Sequence, residues 1–570
     1  MHCRSVTYYV TIMTTLIFAA VNTATGQVTE SAGKAPSVRI AAGGQAQLPV
    51  VVAENATDRV KAAARDLADM LRRISGATFG IKTGNGKSGI VLGTCKDYPE
   101  LAKGIDLDPE DPFRQDAYVL RSSTSRLLMI GASGRAVEHA VWDLLARFGY
   151  RLFFLTDTWE VVPSRQDLRI AIDTLEEPDY VTRRAPRGLS RTNHELWARW
   201  KKRNRIRSAF DLNTGHSYQG IIRANKEIFE QHPEYLSLVN GERGIRVSSK
   251  FCISNPELRN LVVENAVRRF RRNPELDSIS LDPSDGGGWC TCEACLAMGS
   301  VTDRVVTLAN QVAEAINRLG LGPKYVGIYG YGNHSIPPNI RIHPRVIVSL
   351  ATKFIRGGYT IDRMIEGWSS KGATLGIREY HDAFVWSHCR PRDARGGNLP
   401  YLQRTIPHFY RQNARFMNSE SEDSWGANGL GFWITPILLW DVDQAQNIDA
   451  LVEDFLNKAF RKAREPMRGF YEFLNMRRTP TKTPEDTVAR MYRFLQDAWK
   501  RATTEQVRER LEDLILYTRY VDLYHAYRRA SSSRSTLPEG FSTAQGSGED
   551  PGVLKLPDIS PRQKAYNRLC

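Results

Sequence analysis

The run SISLDPSDGGGWCTCEAC over 278–295 places two carboxylates, three consecutive glycines, an indole and three thiols directly behind a short apolar stretch. If 278–281 is a strand, Asp282 and Asp285 stand just past its carboxyl end, where parallel α/β barrels assemble their sites. The glycines allow a sharp turn and close approach of a ligand, and Trp289 offers a flat apolar face suited to a sugar ring. Two more acid groups follow β-rich runs: Glu379 and Asp382 in REYHD (378–382), and Glu420, Glu422 and Asp423 in NSESED (418–423). Glycoside hydrolysis takes two carboxyls, one protonated to help the leaving oxygen depart and one ionised as base, nucleophile or charge stabiliser. Asp285 with Glu379, Glu420 or Glu422 therefore gives the candidate catalytic pairs. The structural alternative for 282–295 is an acid-capped turn braced by its cysteines.

Other polar and aromatic residues are placed to line the same mouth. His216 in TGHS (214–217) and His334 in YGYGNH (329–334) follow strand-like runs and are suited to binding sugar hydroxyls or helping a proton move, although hydrogen-bonded structural roles explain them as well. With Asp282 and Trp289, the residues Asn193, Tyr331, Tyr380 and Trp433 complete a polar and aromatic substrate wall, while core packing is the competing explanation for the rings. Cys252, Cys290, Cys292 and Cys295 form a group able to make two disulfides or to bind zinc, and a secreted context favours disulfides. Either way the group braces the loop that carries Asp285. No Walker loop, dinucleotide-binding glycine fingerprint, HExxH or nucleophile-elbow serine occurs in its required context, so no cofactor is implied.

Positioning these residues calls for a parallel barrel. From 180 to 435, β-rich runs at 187–190, 207–212, 278–281, 325–329, 346–350, 374–379 and 414–418, with a weak one at 235–238, alternate with helical patterns at 195–203, 256–272, 301–319, 360–371 and 402–412. About eight such units over about 250 residues predict a (β/α)8 TIM-like barrel. In front of it, 38–175 reads as a small α/β sandwich with helices at 58–74 and 133–148 and a hairpin at 117–131. Behind it, 436–530 reads as a C-terminal helical region, and 531–570, rich in Ser, Gly and Pro, as a mobile tail.

With 570 residues, 42% hydrophobic and 25% charged, the chain is globular in composition and long enough for two or three domains. Residues 1–27, with Arg4 ahead of an apolar 10–21 and small residues at 24–26, read as a secretory signal, which makes the protein secreted or periplasmic. No later segment is apolar enough to span a bilayer once that signal is cleaved. The net charge of +15 is spread along the chain without a nucleic-acid signature; a solvated surface that keeps the protein soluble explains it first, and an anionic glycan is a better match than nucleic acid, while the candidate site makes a polysaccharide or oligosaccharide the expected partner.

Three stretches, GHS (215–217) with HPEYLS (232–237), CISNPE (252–257) and SDGGGWCTCEAC (284–295), resemble the bacterial family called domain of unknown function 4838. The segments 53–93 and 117–153 are similar to the N-terminal domain of α-glucuronidases and β-hexosaminidases. The resemblance implies a barrel related to those of glycosidases and a setting in polysaccharide or glycoconjugate breakdown. It carries over no catalytic residue.

Overall fold

A computed structural model describes residues 27–30, 35–186, 193–476 and 483–534. The signal reading (1–27), the predicted strand at 187–190 and most of the tail lie outside the described residues. Among those described, no helix is long and apolar enough to cross a membrane.

The first part is a nine-stranded mixed sheet. Its strands run in the order 45–46, 38–42, 168–176, 118–123, 126–131, 89–94, 50–52, 81–83, with 27–30 paired in parallel on 168–176. Two helices cover one face. In α1 (Asp58–Ser75) the buried residues Val60, Ala64, Leu67, Leu71 and Ile74 recur at helical spacing, Thr57 caps the start, and Gly76 at φ 78° ends it in the left-handed conformation that glycine adopts without strain. The second, α2 (Gly134–Arg147), packs on α1 and carries the buried His139.

The second part is a curled sheet of six strands, all parallel among the described residues. These are β1 (Thr182–Arg184), β2 (Ser278–Ser280), β3 (Tyr325–Gly332), β4 (Val346–Ile355), β5 (Thr374–Tyr380) and β6 (Ala414–Glu420), in the spatial order β1-β6-β5-β4-β3-β2. Helices α3 (His194–Arg203), α4 (Pro256–Arg272), α5 (Val301–Asn317), α6 (Ile361–Ser369) and α7 (Leu399–Arg411) intervene along the chain. Among the described residues, which leave out the run at 187–190, the sheet is a curled half-barrel of six strands, and the expected eight-stranded barrel is not completed among them. The run predicted as a strand at 235–238 instead holds a short turn and pairs with Phe251 through Leu236.

Residues 207–212, also read as a strand, form none. They lie in an irregular segment across the gap between β1 and β2, held by side chains in place of a ladder. Ser208 Oγ accepts from Arg183 N at 3.0 Å, and Asp277 accepts from Asp211 N at 2.8 Å. Ser278 Oγ accepts from Asn213 N at 2.6 Å and donates to the Asp211 carbonyl at 2.8 Å. This path requires Gly327 in β3, because a Cβ there would collide with the Asn213 carbonyl and sit 2.9 Å from Thr214 Cγ2. Below it, Phe210, Leu212, Tyr325, Ile347 and Phe416 fill the floor, and Phe113 from the first part plugs them, its ring 5.1 Å from Phe210 and 5.4 Å from Phe416.

The two parts are joined at a buried charge cluster. Asp116, just before strand 118–123, accepts from Arg183 Nη2 on β1 at 2.9 Å and from Ala209 N at 3.0 Å, and lies 3.3 Å from His139 Nε2. After β6 comes α8 (Trp425–Trp440), buried along nearly its whole length. Then follow α9 (Ile448–Phe460), α10 (Arg464–Tyr471), α11 (Pro484–Arg501) and α12 (Glu505–Arg534).

Candidate active site

The side chains beyond the carboxyl ends of β2 to β6 converge on one mouth. Strand alternation decides which they are. On β5, Arg378 and Tyr380 face inward, with the Arg378 guanidinium 5.4 Å from the rings of both Tyr329 and Tyr380. On β6, Asn418 and Glu420 share that interior, and Glu420 is ion-paired with Arg378. Glu420 keeps 31% of its side chain exposed.

Opposite stands a histidine–carboxylate group built on the turn after β2. Asp282 is fully buried and accepts from Tyr329 N at 2.9 Å, with His334 Nε2 at 3.2 Å from the same oxygen. His216 Nδ1 lies 2.6 Å from the Pro283 carbonyl and 3.0 Å from Asp282 Oδ2. Two acceptors at one ring nitrogen place the proton on Nδ1, leaving Nε2 to face Asp285 Oδ1 at 3.9 Å. Burial works against a charge on His216, but the Asp282 bond and charge outweigh it and raise its pKa. Burial likewise opposes ionisation of Asp282, and the two histidines overcome it, holding the carboxyl below its usual range.

Asp285 leaves 63% of its side chain to solvent and accepts from the Tyr331 hydroxyl at 3.1 Å. Burial first, and then the charges of Asp285, Glu420 and Asp282, push the Tyr331 phenol up to about 12. The loop is fixed from behind by Lys250, which is 1% exposed and donates to the carbonyls of Asp285 at 3.2 Å and Gly287 at 2.6 Å. Burial brings that amine down to about 8. The Trp289 ring is half-buried against His334, 5.6 Å away, with Lys250 Nζ 5.1 Å from its centre.

A strip of rings continues the mouth: Tyr331 to Phe354 at 5.4 Å, Phe354 to Tyr380 at 5.7 Å, and Tyr380 to Trp386 at 5.6 Å. Phe354 is 48% and Trp386 41% exposed, and Lys353 Nζ sits 3.8 Å from the Trp386 ring centre. Phe354 has φ 61°, a strained setting for an aromatic residue, which turns its ring out at the end of β4.

Not every residue singled out by sequence reaches the mouth. Glu379 points outward from β5, 1% exposed, and its oxygens are taken by Thr352 Oγ1 at 2.6 Å, Arg395 at 2.6 Å, Tyr401 Oη at 2.6 Å and Tyr380 N at 2.8 Å. It is a buried fastening. Asp282 stands behind the mouth as a positioning carboxylate, out of reach of a sugar. Asn193 donates to Asp423 at 2.9 Å, where Trp197 also bonds, and so helps seat α3. Trp433 is buried on α8, 4.9 Å from Phe153 and 6.3 Å from Phe455, because that helix is apolar all round. Glu422 lies half-buried just beyond β6. Phe354, Lys250 and Arg378 carry no sequence signal that separates them from ordinary strand and loop residues.

The four cysteines stand beside this loop as thiols. Their sulfur separations are 3.4 Å (Cys290–Cys292), 3.7 Å (Cys252–Cys292) and 3.8 Å (Cys252–Cys295), each longer than a disulfide bond of about 2.05 Å.

A family model described as "Domain of unknown function (DUF4838)" matches residues 154–472, more than half of the chain. No curated protein matches the sequence. Among solved structures, a family GH115 4-O-methyl-α-glucuronidase with specificity for decorated arabinogalactans is similar at a TM-score of 0.50 and 13% identity, over 85% of this chain and 73% of that one. A GH138 enzyme targeting pectin rhamnogalacturonan II matches at a TM-score of 0.46 and 10% identity, over 83% and 68% of the two chains. A Streptomyces plicatus N-acetyl-β-hexosaminidase matches at 0.41 and 13% identity, over 78% and 94%. The similarity to the GH115 enzyme extends to fold alone: a glycosidase-like arrangement of accessory sheet and parallel barrel.

Proposed function

This chain belongs to the DUF4838 family, and from that membership together with the geometry of the mouth we propose that it is a secreted or periplasmic glycoside hydrolase acting on polysaccharide or glycoconjugate. Membership brings no reaction with it, so the reading rests on one observation. Asp285, which accepts from the Tyr331 hydroxyl, and Glu420, ion-paired with Arg378, both stand at the strand ends of one glycosidase-like fold.

In this reading Asp285 delivers a proton to the departing oxygen and Glu420, fixed by Arg378, serves as the opposing carboxylate. His216, its Nδ1 proton anchored, takes up a second proton from solvent at Nε2 and passes it to Asp285 after each turnover. The ring strip of Phe354, Tyr380 and Trp386 binds sugar faces, and Lys353 at its edge suits an acidic sugar. That strip also supports a second reading, a glycan-binding protein without chemistry, since exposed rings hold sugars whether or not a bond is cut.

The test is product chromatography on a panel of neutral and acidic oligosaccharides with wild type, Asp285→Asn and Glu420→Gln, folding being checked by circular dichroism. Wild-type release that falls about 10²–10⁴-fold in each folded variant supports the proposal. Undiminished release in both variants refutes the pair, and saturable binding without release by wild type establishes the second reading.

A further inference from the structure

Beside the mouth, four sulfurs from two distant stretches of chain, Cys252, Cys290, Cys292 and Cys295, all lie within 4.8 Å of one another. A tetrahedron of thiolates about 2.3 Å from a central zinc ion has edges of about 3.8 Å. The separations of 3.4, 3.7 and 3.8 Å described above match those edges. Disulfide pairing would need two of these sulfurs to close to about half that distance while the others stayed apart. The cage is also too small to enclose the inorganic sulfide of an iron–sulfur cluster.

The surroundings are those of thiolates. Backbone amides aim at two sulfurs, Leu238 N at Cys290 Sγ (3.2 Å) and Ser254 N at Cys295 Sγ (3.4 Å). The Ser254 hydroxyl lies over one face of the cage, 3.4, 3.7 and 3.2 Å from Cys252, Cys292 and Cys295. Arg243 donates to the carbonyls of Glu234 and Leu236, which brings a positive charge to the stretch beside the cage, and a tetrathiolate zinc centre carries net charge −2. Three of the four cysteines are buried, and the protein supplies all four ligands, which closes the shell to water and substrate.

We propose that Cys252, Cys290, Cys292 and Cys295 bind one structural zinc ion. Each thiol gives up its proton to solvent as its zinc–sulfur bond forms, with no change of oxidation state. The ion ties the hairpin-like stretch 235–252 to the start of the 290–297 segment. It thereby anchors the C-terminal end of the loop that presents Asp285 and Trp289, while Lys250 clamps its middle.

The test uses the full chain purified without added metal, its metal content read by inductively coupled plasma mass spectrometry. The expected result is one zinc per chain, lost in Cys290→Ser and Cys292→Ser and retained in Cys95→Ser, whose thiol lies in the first part of the molecule. Should the cysteine variants fail to fold, cobalt exchange into wild type decides the matter by the visible bands of a tetrahedral tetrathiolate site. Peptide mapping without reductant that finds these cysteines disulfide-linked overturns the proposal. So does iron in place of zinc, or metal content unaffected by the substitutions. None of these readouts depends on a substrate, so the proposal stands or falls apart from the glycosidase reading.

Discussion

Replacing Asp116 by Asn changes one charge and almost no volume at the join between the accessory sheet and the barrel. Arg183 is fully buried, and apart from His139 Nε2 at 3.4 Å its other partners are carbonyls: Tyr180 and Arg207 at 2.9 Å, Val181 and Arg205 at 3.3 Å. Carbonyl oxygens fill the hydrogen-bonding positions but do not cancel the charge, and among these partners Asp116 alone does. Removing one partner of such a pair strands the other in a low-dielectric interior, at a cost of about 3–5 kcal/mol, or roughly two to four powers of ten in the folded ratio. The assay is guanidinium denaturation followed by tryptophan fluorescence. The double variant Asp116→Asn/Arg183→Met, which removes both charges, should recover at least half of the loss. The acid limb gives a second reading. Burial alone would raise the Asp116 pKa, but Arg183 and His139 overcome it and hold the carboxyl well below the usual range. A depressed folded pKa contributes stability above the unfolded value of about 3.9 that is lost as pH falls toward the folded one, so Asp116→Asn should flatten the decline below about pH 4. A loss under about 1 kcal/mol, with an unchanged acid limb, would refute the argument that one carboxylate neutralises Arg183.

Other outcomes follow from the same geometry. Gly327→Ala should destabilise by about 1–3 kcal/mol, measured by thermal melting, because its Cβ meets the Asn213 backbone and the crossing segment must shift. Glu379→Gln should lower the melting temperature, since each hydrogen bond to that buried carboxylate is worth about 1.5–3 kcal/mol, yet leave glycan affinity measured by calorimetry unchanged. His216 has a raised pKa and so keeps its proton to higher pH than a free histidine; on the hydrolase reading, kcat falls as pH rises through that value, and His216→Asn removes this alkaline limb from the pH–rate profile. Tyr331→Phe should lower kcat by about 10-fold or more at unchanged melting temperature, because its hydroxyl is held by Asp285 at the half-exposed mouth.

The strands legible in the sequence are those whose burial is hydrophobic. Runs such as VIVSLA in β4 and the Pro256–Arg272 helix behind its Asn255 cap announce themselves by composition and spacing. β1, Thr182–Arg184, does not, because its buried residues are a threonine and an arginine, the arginine satisfied by a partner far along the chain. At 207–212 the apolar alternation is real, and Phe210 and Leu212 do enter the floor. The backbone bonds nevertheless go to the side chains of Asp116, Asp277 and Ser278, which no periodicity reveals. Asp285 and Trp289 on the turn after β2, and Tyr331 and His334 at and just past the end of β3, are reached by looking beyond strand-like runs, whereas His216 follows a run that forms no strand. Glu379 and Glu420 look alike in sequence, both acids at strand ends. Only the phase of each strand, with Arg378 and Tyr380 facing in, sends one carboxylate into the fastening and the other into the mouth.

The glycines of α8 bear on how this architecture can be taken apart. A Cβ at Gly426 would strike the Tyr517 ring on α12, one at Gly429 the Phe154 ring at the end of the accessory region, and one at Gly431 the Gly396 carbonyl behind the barrel. Three remote stretches of chain thus press on a single bare backbone, and a division at 435/436 would cut the helix that receives them. A fragment ending there would expose the apolar side of α8 and shed the Tyr517 contact. The barrel is therefore no interchangeable module: recombination that grafts a new carboxyl-terminal region onto it must carry α8 and its three seats along, so such units should pass between genes whole or not at all.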